Sequence, residues 1–244
     1  MNSPTVVLVH GAWHGSWCWD DVVEALRSRD IHALAVDLPG HDTPGSSARK
    51  WNTMSSYVEH VNRQIDSIEG DVVLVGHSMG GLVAQRVLET RTLRAAVLVA
   101  SIPRRGVGAL LARLIKAHPD RVASTLSLSL WAFVANDERV REQFFRPDTD
   151  LDIVRHAGSK MQNESYPAFL SMLFRWPRPG VILHNATPIS VVAAQHDAIF
   201  TLAEQRDLAA TYDAELTIFD CAHDVMLERA WPELVEHITT VSNR

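Results

Sequence analysis

A chain of 244 residues that is 46% hydrophobic and 21% charged has the size and balance of one globular domain, which excludes disordered, fibrous and collagen-like classes. Its 23 basic and 29 acidic residues leave a formal charge of −6, so no basic excess exists to neutralise phosphates, and neither a nucleic acid nor an anionic membrane is an expected partner. Two cysteines, Cys18 and Cys221, are too few for a disulfide scaffold and lack a CxxC spacing, so both are expected as reduced thiols.

The chain opens Met1-Asn2-Ser3-Pro4 and turns at once into an apolar run, with no basic segment leading a long hydrophobic one; the expected location is cytoplasmic. The longest apolar-leaning stretch, 124–135, is broken by serines and is shorter than the roughly 18 to 20 apolar residues of a membrane helix. Six short, β-branched runs at 5–9, 31–36, 72–75, 95–99, 189–193 and 216–219 are almost continuously apolar, which predicts strands covered on both faces. Between them, apolar residues recur at helical spacing over 19–27, 54–68, 82–89, 202–210 and 231–241. Strands alternating with helical crossovers predict an α/β fold with a doubly wound, mainly parallel six-stranded sheet. One interval, 103–183, is too long for a simple crossover. It carries helical patterns at 107–117, 138–145 and 166–174, bracketed by Pro103-Arg104-Arg105-Gly106 and Pro177-Arg178-Pro179-Gly180, and is expected to be a helical cap inserted after the fourth strand of a core built from 1–102 and 184–244. Arg104 and Arg105 at its edge are expected in a solvated hinge.

Chemistry concentrates just after the predicted strands. The first is followed by His10-Gly11-Ala12-Trp13-His14-Gly15, a loop whose backbone N–H groups could face a nucleophile. The third is followed by Gly76-His77-Ser78-Met79-Gly80, the GxSxG pattern of a sharp strand-to-helix turn that lifts a serine Oγ above the sheet and needs glycines where side chains would collide. Ser78 is therefore the candidate nucleophile, with the Met79 and Ala12 N–H groups as candidate oxyanion donors. A serine needs a base, and the base an orienting acid. The fifth strand leads into His196-Asp197 and the sixth into His223-Asp224, so the chain order Ser78, Asp197, His223 supplies both; Asp220 is the reserve acid. His77 and His237 are set aside, the first as pointing away across the turn and the second as part of the last helix. His10, His14, His196 and His223 form no HExxH-like set, and neither a metal nor another cofactor is expected.

These motifs resemble the α/β-hydrolase family along nearly the whole chain. The run from His10 to Trp19 and the segment Asp37-Leu38-Pro39-Gly40-His41 resemble the plant methylesterase and hydroxynitrile lyase branch, with Asp37 and the Pro39-Gly40 pair in structural roles. In the lyases of that branch, cyanohydrin cleavage uses a threonine in the first loop and a lysine beside the catalytic histidine. Here Gly11 and Asp224 stand at those places, which implies the esterase side, although Asp224 also departs from the plant methylesterases. Trp13 and Trp17 of the first loop, with Trp131, Phe133, Met161, Phe169, Met172 and Phe174 of the cap, are candidates for an apolar substrate pocket. The expected activity is hydrolysis of a small or medium, partly apolar carboxylic ester or lactone through an acyl-enzyme. A lyase or carbon–carbon hydrolase on the same triad, or a small-molecule receptor with residual hydrolysis, remain alternatives.

Overall fold

A computed structural model describes residues 4–48, 50–174 and 176–244, so the opening residues 1–3 lie outside the described part. Alternation along the strands decides the architecture. In the first strand, β1 (Thr5–Val9), Val6 and Leu8 join one buried cluster while Val7 and Val9 join another, all four at 0% exposure. A strand buried on both faces needs a layer on each. The chain supplies them as α1 (Asp20–Arg27), β2 (Ala33–Val36), α2 (Met54–Asp66), β3 (Val72–His77), α3 (Met79–Val87) and β4 (Ala95–Val99). After a helical insertion follow β5 (Ile189–Ala194), α10 (Leu202–Thr211), β6 (Glu215–Phe219) and α11 (Trp231–Asn243). Helices α1 and α11 cover one face with Val22, Leu26, Leu234 and Ile238; α2, α3 and α10 cover the other with Tyr57, Val61, Leu82 and Leu208.

The strands run in the order β2-β1-β3-β4-β5-β6, every neighbouring pair parallel. All carboxyl ends therefore lie along one edge. The order reverses between β1 and β3, and in open α/β sheets the crevice at such a reversal is where ligands bind. Val9 of β1 pairs with Gly76 of β3, which sets the His10–Gly15 loop beside Ser78.

Among the described residues, six α-helices fill the insertion: α4 (Gly108–Ala117), α5 (Pro119–Ser124), α6 (Asp137–Phe144), α7 (Leu151–Lys160), α8 (Tyr166–Phe174) and α9 (Pro179–His184). Three of them coincide with expected helical patterns. Helices α5 and α9 span six residues each, too short for periodicity to register, and α7 begins in a polar segment where Asp150 caps it by accepting from the Asp152 N–H at 2.8 Å. Two ends of core elements also differ from the sequence expectation. Strand β2 starts at Ala33 rather than 31, because the Ile31 N–H is spent on the Leu26 carbonyl closing α1. Strand β3 continues through Gly76 and His77, paired with Leu98 and Val99, and α3 starts at Met79 rather than 82. Among the described residues, no helix is long and apolar enough to cross a membrane.

Candidate active site

The turn between β3 and α3 is a single residue wide. Ser78 sits there at φ 51°, ψ −114°, a left-handed region that a residue bearing a side chain occupies only when its surroundings impose it. The surroundings are glycines. A Cβ on Gly76 would lie 2.4 Å from the Gly80 carbonyl oxygen, and one on Gly80 would lie 2.3 Å from that of Val9. Both obstacles are backbone, so Gly80→Ala has to push α3 away from β1. Such overpacking costs about 1–3 kcal/mol or more. We expect a fall in Tm of at least about 2 °C, read by thermal unfolding.

His223 and Asp197 meet at the ends of β6 and β5. The His223 Nδ1 lies 2.9 Å from Asp197 Oδ2, with side chains 0% and 1% exposed. The other carboxylate oxygen, Oδ1, accepts from the Ile199 and Phe200 backbone N–H groups at 2.7 and 3.0 Å, so the turn after β5 fixes the acid before the histidine arrives. Nδ1 bears the proton in this arrangement, which leaves Nε2 as the acceptor. Nε2 is buried and has no hydrogen-bond partner among the described residues, although hydrogen bonds to a base are often long before substrate tightens them. Asp220 stands elsewhere. It is two-thirds exposed and shared between Arg146 at 2.6 Å, His196 at 2.9 Å and Arg229.

Most carbonyls and side chains of the His10–Gly15 loop are occupied. The Gly11 carbonyl accepts from His10 Nδ1 at 2.8 Å and the Ala12 carbonyl from His14 Nδ1 at 2.7 Å. The Trp13 N–H donates to Glu164 Oε2 at 3.3 Å, and the Trp13 carbonyl accepts from the Gln162 N–H at 2.8 Å. Among the described residues neither the Ala12 nor the Met79 N–H has such a partner, and both residues line one cavity with Ser78. Asp37 holds the far end of the loop, accepting from the Ser16 N–H at 2.6 Å and its hydroxyl at 2.9 Å.

That cavity is narrow, about 70 Å³, and is otherwise bounded by apolar side chains, with Gln143 the one polar exception besides Ser78. Trp13, Phe133, Phe169 and Met172 line it as expected. Trp17, Trp131 and Met161 do not. Trp17 is behind the loop, stacked on His14 at 5.4 Å with Lys160 over its ring at 5.5 Å. The turn 131–133 contributes Phe133 rather than Trp131, and Met161 is fully buried where α7 docks. Phe174 is 79% exposed. Sequence reasoning missed Ile102, Val107, Leu110, Leu114, Ile199 and Phe200, which are apolar at positions that equally suit a core.

It also missed Gln162-Asn163-Glu164-Ser165, a polar run that normally reads as a solvated loop. All four are buried. Glu164 collects the Tyr57 hydroxyl at 2.8 Å, the Ser165 N–H at 2.6 Å and His41 Nε2 at 3.1 Å, while the Gln162 amide donates to the His14 and His41 carbonyls. Burial opposes ionisation of Glu164, but His41 and these donors outweigh it and hold the carboxyl below its usual range. The strip ties the insertion to the loop bearing Ala12.

His77, His223 and Asp224 each offer one ligand atom within 4.8 Å of the others. A tetrahedral zinc draws nitrogen and oxygen ligands to roughly 3.4 Å of one another. His77 Nε2 already faces the His223 carbonyl at 3.0 Å, and burial, reinforced by His223 and His14, keeps His77 well below the usual histidine range. The set fits a packed interior better than a metal site, and we expect hydrolysis of an activated ester to survive exhaustive chelation unchanged.

The chain is 37% identical over 125 residues to a carbendazim hydrolyzing esterase from Nocardioides sp. (strain SG-4G), covering 48% of this chain and 50% of that one. It is 41% identical over 78 residues to methyl jasmonate esterase 1 from Vitis vinifera, covering 31% of this chain and 30% of that one. The matched segments thus span half or less of these relatives. A pyrethroid hydrolase from Sphingobium faniae JZ-2 superposes with a TM-score of 0.73 at 22% identity, covering 98% of this chain and 97% of that one, which speaks for the fold alone. The model of the alpha/beta hydrolase family matches residues 6–237, from β1 into α11, and the chain belongs to that family.

Proposed function

We propose that the protein is a cofactor-independent serine hydrolase that cleaves small or medium, partly apolar carboxylic esters or lactones through an acyl-enzyme. The observation that carries this reading is the buried His223–Asp197 pair, whose Nε2 has no partner among the described residues, at the same carboxyl-end edge of the sheet as the strained Ser78. Ser78 attacks the carbonyl, His223 takes its proton and returns it to the leaving alcohol, and Asp197 holds the imidazole. The Ala12 and Met79 N–H groups receive the oxyanion, and water then releases the acid. The names of the carbendazim and methyl jasmonate esterases support ester cleavage as the chemistry.

Residues 103–183 act in this reading as a cap. Ligand sites usually enclose about 300–1,000 Å³, so a cavity of about 70 Å³ holds a substrate only when the cap helices part. A cytoplasmic location is supported by Cys18 and Cys221, both buried free thiols. The substrate is a small molecule rather than a nucleic acid or a membrane.

A series of p-nitrophenyl esters of increasing acyl length, run beside a lactone and a cyanohydrin, tests the assignment. The apolar wall predicts turnover of neutral acyl chains and at least a tenfold lower kcat/KM for an ester of matched length ending in a free carboxylate, which finds no cationic partner there. Turnover no faster than that of Ser78→Ala overturns the reading, and cyanohydrin cleavage exceeding ester hydrolysis moves it to the lyases.

A further inference from the structure

Asp224 follows the candidate base directly in sequence, yet it does not line the cavity. It is fully buried, and its Oδ2 lies 2.9 Å from His14 Nε2, a partner 210 residues away. The other nitrogen of that ring, Nδ1, is 2.7 Å from the Ala12 carbonyl. A carbonyl can only accept, so Nδ1 carries a proton. Burial works against charge on His14, but Asp224 and the Ala12 carbonyl outweigh it and raise its pKa above the usual histidine value. The ring is also held sideways, stacked on Trp17 at 5.4 Å and edge-on to Phe144 at 5.4 Å, while the Phe144 carbonyl accepts the Asp224 N–H at 3.0 Å.

We propose that His14 and Asp224 are a positioning pair that locks the loop carrying the oxyanion donor Ala12 to the loop carrying the base His223. This rests on the serine hydrolase reading above. The Ala12 carbonyl belongs to the peptide just after the donor N–H, and Trp13 beyond it stands at φ 65°, a conformation that relaxes unless its neighbours are held. His14 holds one side of it and Glu164 the other. Because Asp224 adjoins His223, the pair sets the distance between the atom that receives negative charge and the atom that removes the proton. Asp224 thus serves the loop, not the cavity.

The test separates positioning from folding. Replacing a buried ion pair by apolar residues of similar volume is often neutral or stabilising. The double variant His14→Phe/Asp224→Leu is therefore expected to keep the wild-type Tm or exceed it. With the Ala12 carbonyl released, its kcat for p-nitrophenyl acetate should fall about 10- to 100-fold, short of the 10²–10³ typical of losing a whole oxyanion donor. KM should stay within about threefold, and the Ki of a trifluoromethyl ketone, whose adduct with Ser78 places an oxyanion in the hole, should weaken in step with kcat/KM. Asp224→Ala should lower kcat likewise, but with a lower Tm, because it leaves His14 buried without its carboxylate. Asp224→Asn should recover most of the rate, since its amide can donate to Nε2 of a His14 protonated on Nδ1. Should the double variant or Asp224→Ala fold poorly, the comparison of Asp224→Asn with wild type still decides, because an amide variant as slow as expected for alanine overturns the proposal. A folded double variant with wild-type kcat, or with a loss confined to KM and an unchanged ketone Ki, also overturns it. If Ser78→Ala were itself active, the hydrolase reading would fall first; if it is inactive while the double variant is not, only the pair's role is lost.

Discussion

Ser78→Ala should lower kcat/KM for a p-nitrophenyl ester by on the order of a millionfold while leaving the protein folded. The strain at φ 51° is imposed by the Gly76 and Gly80 contacts and by the Ser78 N–H bonded to the Val99 carbonyl at 3.0 Å, none of which involves the hydroxyl. Alanine keeps those contacts and loses only the attacking oxygen. What remains is the binding energy and the oxyanion donors, which in comparable hydrolases still give some 10³–10⁴ over water. A fluorophosphonate probe should label the wild type and spare the variant, and circular dichroism should be unchanged. Retention of more than about a tenth of the rate would remove Ser78 as nucleophile.

The second large effect is at the acid. Both oxygens of Asp197 are used, Oδ1 by the Ile199 and Phe200 N–H groups and Oδ2 by His223 Nδ1. In Asp197→Asn the single carbonyl oxygen must stay with the two backbone donors, which turns the NH₂ toward Nδ1 and forces the imidazole proton onto Nε2. A base already protonated at its working nitrogen cannot take the serine proton. The expected loss is about ten-thousandfold in kcat. Asp220→Asn disturbs only solvent-screened ion pairs with Arg146, Arg229 and His196, and should change kcat less than about fivefold. If Asp220→Asn proves the more damaging change with both variants folded, the acid lies at the wrong strand end.

Several features were legible in the chain itself because they rest on local rules. Apolar β-branched runs announce strands covered on both faces, and all six occur where those runs stand. Glycines flanking a serine between a strand and a helix announce a turn that a Cβ would block, and Gly76 and Gly80 meet backbone at 2.4 and 2.3 Å. The limits of local rules show at the same turn. Nothing in the composition of Gly76-His77 or Met79-Gly80-Gly81 says that the strand runs two residues further and the helix begins three residues sooner, because the neighbouring strands β1 and β4 decide it.

Other assignments depend on what comes together from afar. Asp197 and Asp220 are both carboxylates after strands; only the fold shows one buried against His223 and the other in solvent between two arginines. Trp17, Trp131 and Met161 differ from Trp13, Phe133 and Met172 by the side of a packing boundary on which each falls, and apolarity carries no sign of side. Glu164 and Asp224 are least legible of all, for a charged residue in a sequence predicts exposure, and burial becomes affordable only once His41, Tyr57 and His14 arrive from other parts of the chain. The sequence by itself determined the strands, the serine turn and the order of the serine, acid and histidine, since each is written in neighbouring residues. Tertiary structure decided that Asp197 rather than Asp220 meets His223, which apolar side chains face the cavity and what holds the His10–Gly15 loop, because those depend on distances between residues as many as 210 positions apart.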